Sequence, residues 1–385
     1  MMTKASQIPY GRQWIDKNDI AEVVKTLRSN WITTGPKIGQ FENAIASYVD
    51  AKYAACVSNG TNALHLACLV AGIGPGDEVI IPTISFVASA NCVLYCNAKP
   101  ILVDIYEDTL TINVEEAEKK ITKKTKAIIA VDFAGHPANW SKLKKLAKTH
   151  KLILIDDAAH AFGSKYQGHK IGSIANLTTF SFHPVKTITT AEGGAVTTNN
   201  KSFYEKLLLF RNHGIEKTSE LSKKFGGWYY EVKSLGYNFR MTDLQAALGL
   251  SQLSKIDAFI KKRRSLWKNY QRHLNRLEGI VIPKEEKGVL AAWHLYPIRI
   301  KEWVIEKSRR EVFEALVEAG IQCQVHYIPI HLQPLYRKLF GYKLGDFPIA
   351  EKYYSQAISL PLFSSLTNQD QTKVIKTLKK IVHEG

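Results

Sequence analysis

The sequence lacks any uninterrupted apolar run approaching the ~20 residues that a membrane-spanning helix needs. No apolar stretch follows Met1-Met2-Thr3-Lys4-Ala5-Ser6, so no signal peptide is expected and the chain reads as cytoplasmic. Cysteine is scarce and odd in number: Cys56, Cys68, Cys92, Cys96 and Cys323. Their scatter argues against a disulfide frame or a zinc site and suits buried thiols in a reducing compartment. Acidic residues are the minority, 35 against 52 Lys and Arg, giving a net charge of +17. Such a balance raises nucleic acid or a membrane surface as partners. The basic residues are dispersed, however, in Lys119-Lys120, Lys123-Lys124, Lys142 to Lys148, Lys223-Lys224, Lys261 to Arg264 and Lys379-Lys380. Most sit at helical spacing beside apolar residues, as on solvated faces. No aromatic-interleaved platform accompanies them, so neither nucleic acid nor membrane is an expected partner. Internal repeats and low-complexity linkers are also missing.

What is present is enough apolar material, 45% of 385 residues, for roughly two domains with a sizeable core. From Tyr53 onward short apolar runs alternate with helical periods. Strands are predicted at Ala54 to Val57, Glu78 to Ile81, Pro100 to Asp104, Ala127 to Asp132, Leu152 to Asp156, Thr178 to Phe182 and Ala195 to Thr198. Helices are predicted at Thr61 to Ala71, Phe86 to Tyr95, Asn113 to Ile121 and Trp140 to Thr149. Near-continuous apolar strands separated by helices predict a mostly parallel sheet covered on both faces, a three-layer α/β domain. After Met241 the pattern changes. One long helix is expected over Thr242 to Arg276, then shorter elements at Leu295 to Ile300, Arg309 to Ala319, Cys323 to Tyr327 and Asn368 to Val382. These suit a smaller α+β domain, so the division is residues 1–250 and 251–385.

The most informative residue is Lys186, in Ser181-Phe182-His183-Pro184-Val185-Lys186, ahead of Glu192-Gly193-Gly194-Ala195. A lone lysine in a tight loop between buried strands is either turned to solvent or desolvated. Desolvation lowers an amine's pKa and makes it a nucleophile able to form a Schiff base, as pyridoxal phosphate requires. Ser58-Asn59-Gly60-Thr61 follows a strand and opens a helix, a place where backbone amides meet an anion. It reads equally as a plain capped turn. Asp156-Asp157-Ala158-Ala159-His160 follows another strand. A carboxylate there faces the ligand crevice of an α/β fold and could pair with a protonated pyridine nitrogen. No third or fourth ligand lies nearby, so no metal is expected. Phe86 could stack on a ring or simply fill the core. Asn238 reads alone as a turn former.

Anion cup, aromatic, aspartate and lysine follow one another in the order of fold type I pyridoxal-phosphate enzymes. The segments Ser58-Asn59-Gly60-Thr61, Asp157-Ala158-Ala159-His160, Ser181 to Lys186, Glu192 to Ala195 and Gly236-Tyr237-Asn238-Phe239-Arg240 resemble nucleotide-sugar aminotransferases of the DegT/StrS kind from about Tyr10 to Leu362. Relatives that dehydrate or deoxygenate sugars carry histidine in place of the lysine, so Lys186 disfavours them. Thr197-Thr198-Asn199 replaces the usual Val-Thr-Asn, a mild departure. The resemblance implies that Lys186 holds pyridoxal 5'-phosphate and moves the proton at the substrate carbon. Asp157 would pair with the ring nitrogen, His160 lie near the ring oxygen, and Phe86 stack. Gly60, Thr61 and Ser181 would hold the phosphate, together with Asn238 from a second copy, so the implied assembly is a homodimer with shared sites. Tyr10, Trp31, Thr33, Asn59, Gln324, His326 and Tyr327 match sugar-nucleotide contacts.

Within the family the wording is nearest to its pseudaminic acid branch. It is carried by Val131 to Gly135, Pro184 to Val196, Gln324 to Ile330 and Ile358-Ser359-Leu360-Pro361. That branch aminates carbon 4 of a UDP-linked 2-acetamido-2,6-dideoxy-4-keto sugar, forming UDP-4-amino-4,6-dideoxy-N-acetyl-beta-L-altrosamine, with L-glutamate as donor. The alternatives are a 4-aminotransferase of the bacillosamine or perosamine type and, from another class, a non-catalytic basic relative that binds or regulates. Lys186 weighs against the last, since a binding module has no use for it.

Overall fold

Burial alternates along the central strands, and that alternation builds the molecule. In Ala54–Val57, residues Ala54 and Cys56 enter one apolar cluster while Ala55 and Val57 enter another. Ile80 and Ile128 likewise join the cluster of Ala54 and Cys56, and Ile81 and Ile129 that of Ala55 and Val57. A sheet with a core on each face is the result, as the apolar runs predict. The computed structural model describes residues 7–383; the reading of Met1 to Ser6 lies outside them.

The sheet has seven strands: β1 (Tyr53–Val57), β2 (Glu78–Pro82), β3 (Lys99–Val103), β4 (Thr125–Val131), β5 (Ile153–Asp157), β6 (Leu177–Ser181) and β7 (Gly194–Thr198). Their spatial order is β1-β7-β6-β5-β4-β2-β3. Strands β2 to β6 run parallel, and β7 lies antiparallel between β1 and β6. Helices Gly60–Val70 and Ala88–Tyr95 cover one face, with Pro36–Tyr48 and Trp140–His150 on the other. This is the mixed α/β, mostly parallel sheet of fold type I.

A third apolar cluster gathers Leu266, Tyr270, Tyr296, Ile298, Val312, Leu316, Val374 and Leu378. It lies about a three-stranded sheet of β8 (Ile280–Val281), β9 (Tyr296–Ile300) and β10 (Ala357–Leu360). Ile8 belongs to this cluster and bridges Ile321, while Tyr336, Phe347 and Tyr353 pack with the core of the large sheet.

Two expected elements differ. The long helix over Thr242 to Arg276 is two helices, Asp243–Leu253 and Ile256–Leu274. Lys255, at the break, pairs through Nζ with Asp16 at 2.9 Å and with buried Asp19 at 2.7 Å. The first helix packs against Lys17–Leu27 and Pro36–Tyr48, and the second turns toward the C-terminal cluster. Cys323 to Tyr327 is no strand. Only Gln324 pairs, with Ser359, because the segment bends to turn His326 and Tyr327 inward.

Candidate active site

A cavity of about 730 Å³ opens where β4, β5 and β6 end. The helix Gly60–Val70 brings its N-terminus to one wall. Asn59 caps it by accepting the Asn62 N–H at 2.8 Å. Amides of a first turn lack intrahelical acceptors and favour an anion. The close approach of this turn to β6 depends on glycine, since a Cβ at Gly60 would lie 2.8 Å from that of Ser181. Gly194 serves the same junction from β7: a Cβ there would stand 2.5 Å from the Asn59 carbonyl oxygen.

The lysine loop is pinned at its base. Phe182 donates its N–H to Gly193 O at 2.8 Å, Thr190 N–H returns to Phe182 O at 3.0 Å, and Lys186 N–H closes a turn on His183 O at 2.9 Å. Buried Phe182, Thr187 and Ile188 anchor the loop, and Lys186 stays partly open to the cavity. Burial lowers its amine to about 8; Asp157 opposes this and Arg263 adds to it.

Asp157 and Asp156 point to opposite faces of β5. Asp157 lines the cavity and is 5% exposed. Its Oδ2 accepts from Ser89 Oγ at 2.5 Å, its Oδ1 accepts from Ala159 N–H at 3.3 Å, and Ser85 Oγ lies 2.6 Å from Ser89 Oγ. Burial raises the Asp157 carboxyl, and Ser89, Ala159 and Lys186 pull it back. Asp156 is fully buried behind the sheet, and among the described residues neither of its oxygens has a hydrogen-bond partner. Burial, then repulsion from Asp132 and Asp157, pushes its carboxyl well above the usual range.

His160 has its tautomer set by the backbone. Ala134 N–H donates to Nδ1 at 3.3 Å, which leaves the proton on Nε2, 3.2 Å from the Tyr327 hydroxyl. His160 therefore donates to Tyr327, whose own O–H is free to point elsewhere. Burial holds the imidazole well below its usual pKa. Phe86 is 56% exposed, its ring 6.0 Å from that of Tyr327, and offers a flat face to the cavity. His326 is fixed by Ser359 Oγ at 2.9 Å and faces the Tyr10 ring at 5.6 Å.

The cavity thus gathers Lys186, Asp157, His160, Phe86, Gly60, Thr61, Ser181, Asn59, Tyr10, His326 and Tyr327. Trp31, Thr33, Gln324 and Asn238 are exposed and do not line it. Asn238 sits in a strap held by Phe239 N–H to Arg211 O at 3.0 Å and by Ser58 N–H to Phe239 O at 2.9 Å. Sequence reasoning missed Ser85, Ser89, His294 and Arg263. The three-residue spacing of Ser89 and Cys92, with Cys92 Sγ reaching Ser89 O, gives no sign that the serine hydroxyl meets a carboxylate.

The sequence matches the DegT/DnrJ/EryC1/StrS aminotransferase family over residues 13–379. Uncharacterized protein MJ1066 of Methanocaldococcus jannaschii is 43% identical over 100% of both chains. GDP-perosamine synthase of Escherichia coli O157:H7 is 38% identical over 93% of this chain and 94% of that one. UDP-4-amino-4,6-dideoxy-N-acetyl-beta-L-altrosamine transaminase of Campylobacter jejuni is 37% identical over 98% of each. Among solved structures, Spr1654 of Streptococcus pneumoniae in its PMP form superposes with a TM-score of 0.93 at 33% identity, covering 98% of this chain and 99% of that one. Helicobacter pylori PseC, an aminotransferase of pseudaminic acid biosynthesis, gives 0.91 at 34% identity over 99% and 100%.

Proposed function

The chain belongs to the DegT/DnrJ/EryC1/StrS aminotransferase family, and from that premise we propose that it moves the amino group of L-glutamate to carbon 4 of a UDP-2-acetamido-2,6-dideoxy-4-keto-hexose. Membership makes it a pyridoxal-phosphate-dependent nucleotide-sugar aminotransferase and sets aside the non-catalytic alternative. What supports the sugar is likeness over nearly the whole chain to the altrosamine transaminase and to PseC. A second reading, a GDP-linked 4-keto sugar of the perosamine type, is favoured by the comparable likeness to GDP-perosamine synthase.

The residues present fit the cofactor. A buried carboxylate with raised pKa needs a cationic partner, and Asp157 has one oxygen held only by a 3.3 Å amide contact. The Gly60 turn and Ser181 form a cradle that a Cβ would fill. When bound, the cofactor supplies an electron sink for the substrate carbon that loses its proton. The rest falls to this chain. In our reading Lys186 attaches the cofactor through Nζ, and later takes a proton at one carbon and returns it at another. Its depressed pKa keeps a usable fraction neutral near pH 7. Asp157, oriented by Ser89, keeps the ring nitrogen protonated. Phe86 covers the ring and excludes water on that side. Gly60, Thr61 and Ser181 hold the phosphate. His160, its N–H spent on Tyr327, aims the Tyr327 hydroxyl toward the ring oxygen or the sugar. Tyr10, Asn59, His326 and Tyr327 would line the sugar's path, and Trp31, Thr33 and Gln324 its outer part.

Asn238 would complete the phosphate site of a second copy, and its exposure away from its own cavity supports that placement. The proposed unit is therefore a homodimer with two shared sites. Five free cysteines suit a cytoplasmic location. The test is mass spectrometry of products from a panel of UDP- and GDP-linked 4-keto-6-deoxy sugars with glutamate. A 4-amino product from the UDP-acetamido sugar alone supports the first reading. Turnover of the GDP sugar alone replaces it with the second.

A further inference from the structure

Arg263 lies in the helix Ile256–Leu274, is 1% exposed, and among the described residues its hydrogen bonds go to backbone carbonyls and none to a carboxylate. A buried guanidinium without an acid is costly unless its donors are satisfied. Here backbone carbonyls do this for both Nη atoms, while Nε has no hydrogen-bond partner among the described residues. Nη1 reaches Leu362 O at 2.9 Å, His294 O at 3.2 Å and Trp293 O at 3.5 Å, and Nη2 reaches Val185 O at 3.4 Å and Lys186 O at 3.5 Å. One side chain thus joins the lysine loop to the segments at Trp293-His294 and Leu362 of the C-terminal part.

We propose that Arg263 is a positioning residue for transamination: an unpaired buried cation that seats the Lys186 loop and places a fixed positive charge beside the Lys186 amine. This rests on the reading above, in which Lys186 holds the cofactor.

The charge has few rivals. The groups acting on the amine are Asp157, Arg263, His160, His294 and His326, and Glu192, His183, Tyr10 and Tyr327 complete the titratable lining. Burial drives His160 and His294 well below their usual range and His326 to about 4, so all three are neutral near pH 7. Burial lowers Arg263 only to about 10, so it keeps its charge there. Of the groups that bear on the amine, Asp157 favours the ammonium and Arg263 disfavours it. A carboxylate that must stay beside the amine to serve the ring nitrogen would by itself make the lysine a poorer nucleophile. Arg263 offsets it without an acid of its own that would cancel the effect. An arginine that only packed the core would be served as well by a neutral side chain or a local ion pair.

The test is competitive acylation of the full-length apoenzyme by acetic anhydride, with the Lys186 peptide followed by mass spectrometry against pH. The wild-type midpoint is expected near 8. Arg263→Gln, which removes the charge and keeps hydrogen-bond donors, should raise it by about one pH unit. Arg263→Lys, which keeps a charge and loses the fork, should stay near wild type while loosening the loop. A folded Arg263→Gln with the wild-type midpoint overturns the proposal. If that variant does not fold, Arg263→Lys decides, since a midpoint displaced upward there overturns it as well. A wild-type midpoint at the ordinary lysine value has the same consequence. Borohydride reduction of the holoenzyme separates the two claims. A label on a lysine other than Lys186 refutes the functional reading itself, and a label on Lys186 with a midpoint indifferent to Arg263 refutes this inference alone.

Discussion

The wall of the cavity and the exposed residues outside its lining are built on different terms. Along the cavity wall, at the ends of β5 and β6, several polar groups already have partners within the chain: Asp157 has Ser89 and Ala159, His160 has Ala134 and Tyr327, and the Lys186 turn has His183. Trp31, Thr33, Gln324 and Asn238 are exposed and lie outside that lining. The difference teaches where preorganisation resides. In the proposed reading, a single chain sets the cofactor end before anything binds, whereas the sugar end is left for the ligand or a second copy to finish.

Substitutions can break that comparison, and the largest effect is expected deepest in the wall. Lys186→Ala should abolish transamination, a loss well over ~100-fold in single-turnover assays of either half-reaction. Near wild-type turnover would sink the mechanism. Next, Asp157→Asn should slow both half-reactions far more than Asp156→Asn, because only Asp157 reaches the cavity, while Asp156 is buried behind the sheet. Equal rates for the two variants would mean the ring carboxylate is misplaced. At the boundary, Asn238→Ala should weaken cofactor binding, measured by equilibrium dialysis, without disturbing the thermal unfolding of the apoprotein. Mixing it with Lys186→Ala should restore about a quarter to a half of the activity if sites are shared between copies, as one intact composite site per heterodimer implies. No restoration would leave Asn238 serving its own chain.

The smallest effects should belong to the sugar path and would sharpen the contrast. Tyr327→Phe and His326→Ala should slow the keto-sugar half-reaction by about 1–3 kcal/mol, the cost of an unpaired polar group, and leave the glutamate half-reaction nearly unchanged. Tyr327 carries the added requirement that it accept from His160, so a loss in both half-reactions would assign it to the cofactor instead.

Much of this was legible in the chain. The alternation Ala54-Ala55-Cys56-Val57 announces a two-faced strand. Ser58 to Thr61 announces a turn feeding a helix, and Lys186 stands out because a lysine in such a loop needs a reason. The break at Ser254-Lys255 was not legible, since no proline or glycine marks it. It is enforced by Asp16 and Asp19, which arrive from elsewhere in the fold to hold Lys255. Cys323 to Tyr327 reads as a strand by composition, yet only Gln324 finds a partner, and pairing is decided across the molecule. Ser89 and Arg263 escape for a related reason. A serine in an apolar helix and an arginine in an amphipathic one look ordinary until their partners, Asp157 and the carbonyls of distant loops, are in place.

Ile8 donates its N–H to Gly320 O at 2.9 Å and accepts from Gln322 N–H at 2.8 Å, and two residues later Tyr10 enters the cavity beside His326. On a ribosome, the segment at Ile8 must therefore wait for Gly320 and Gln322, made much later, before that wall can exist. Closure of so long a loop is slow in entropy terms. A nascent chain could have its sheet and lysine loop assembled while the sugar end still lay open. Maturation would then run from cofactor end to sugar end, so an arrested or truncated product could take up the cofactor and yet fail to retain the nucleotide sugar.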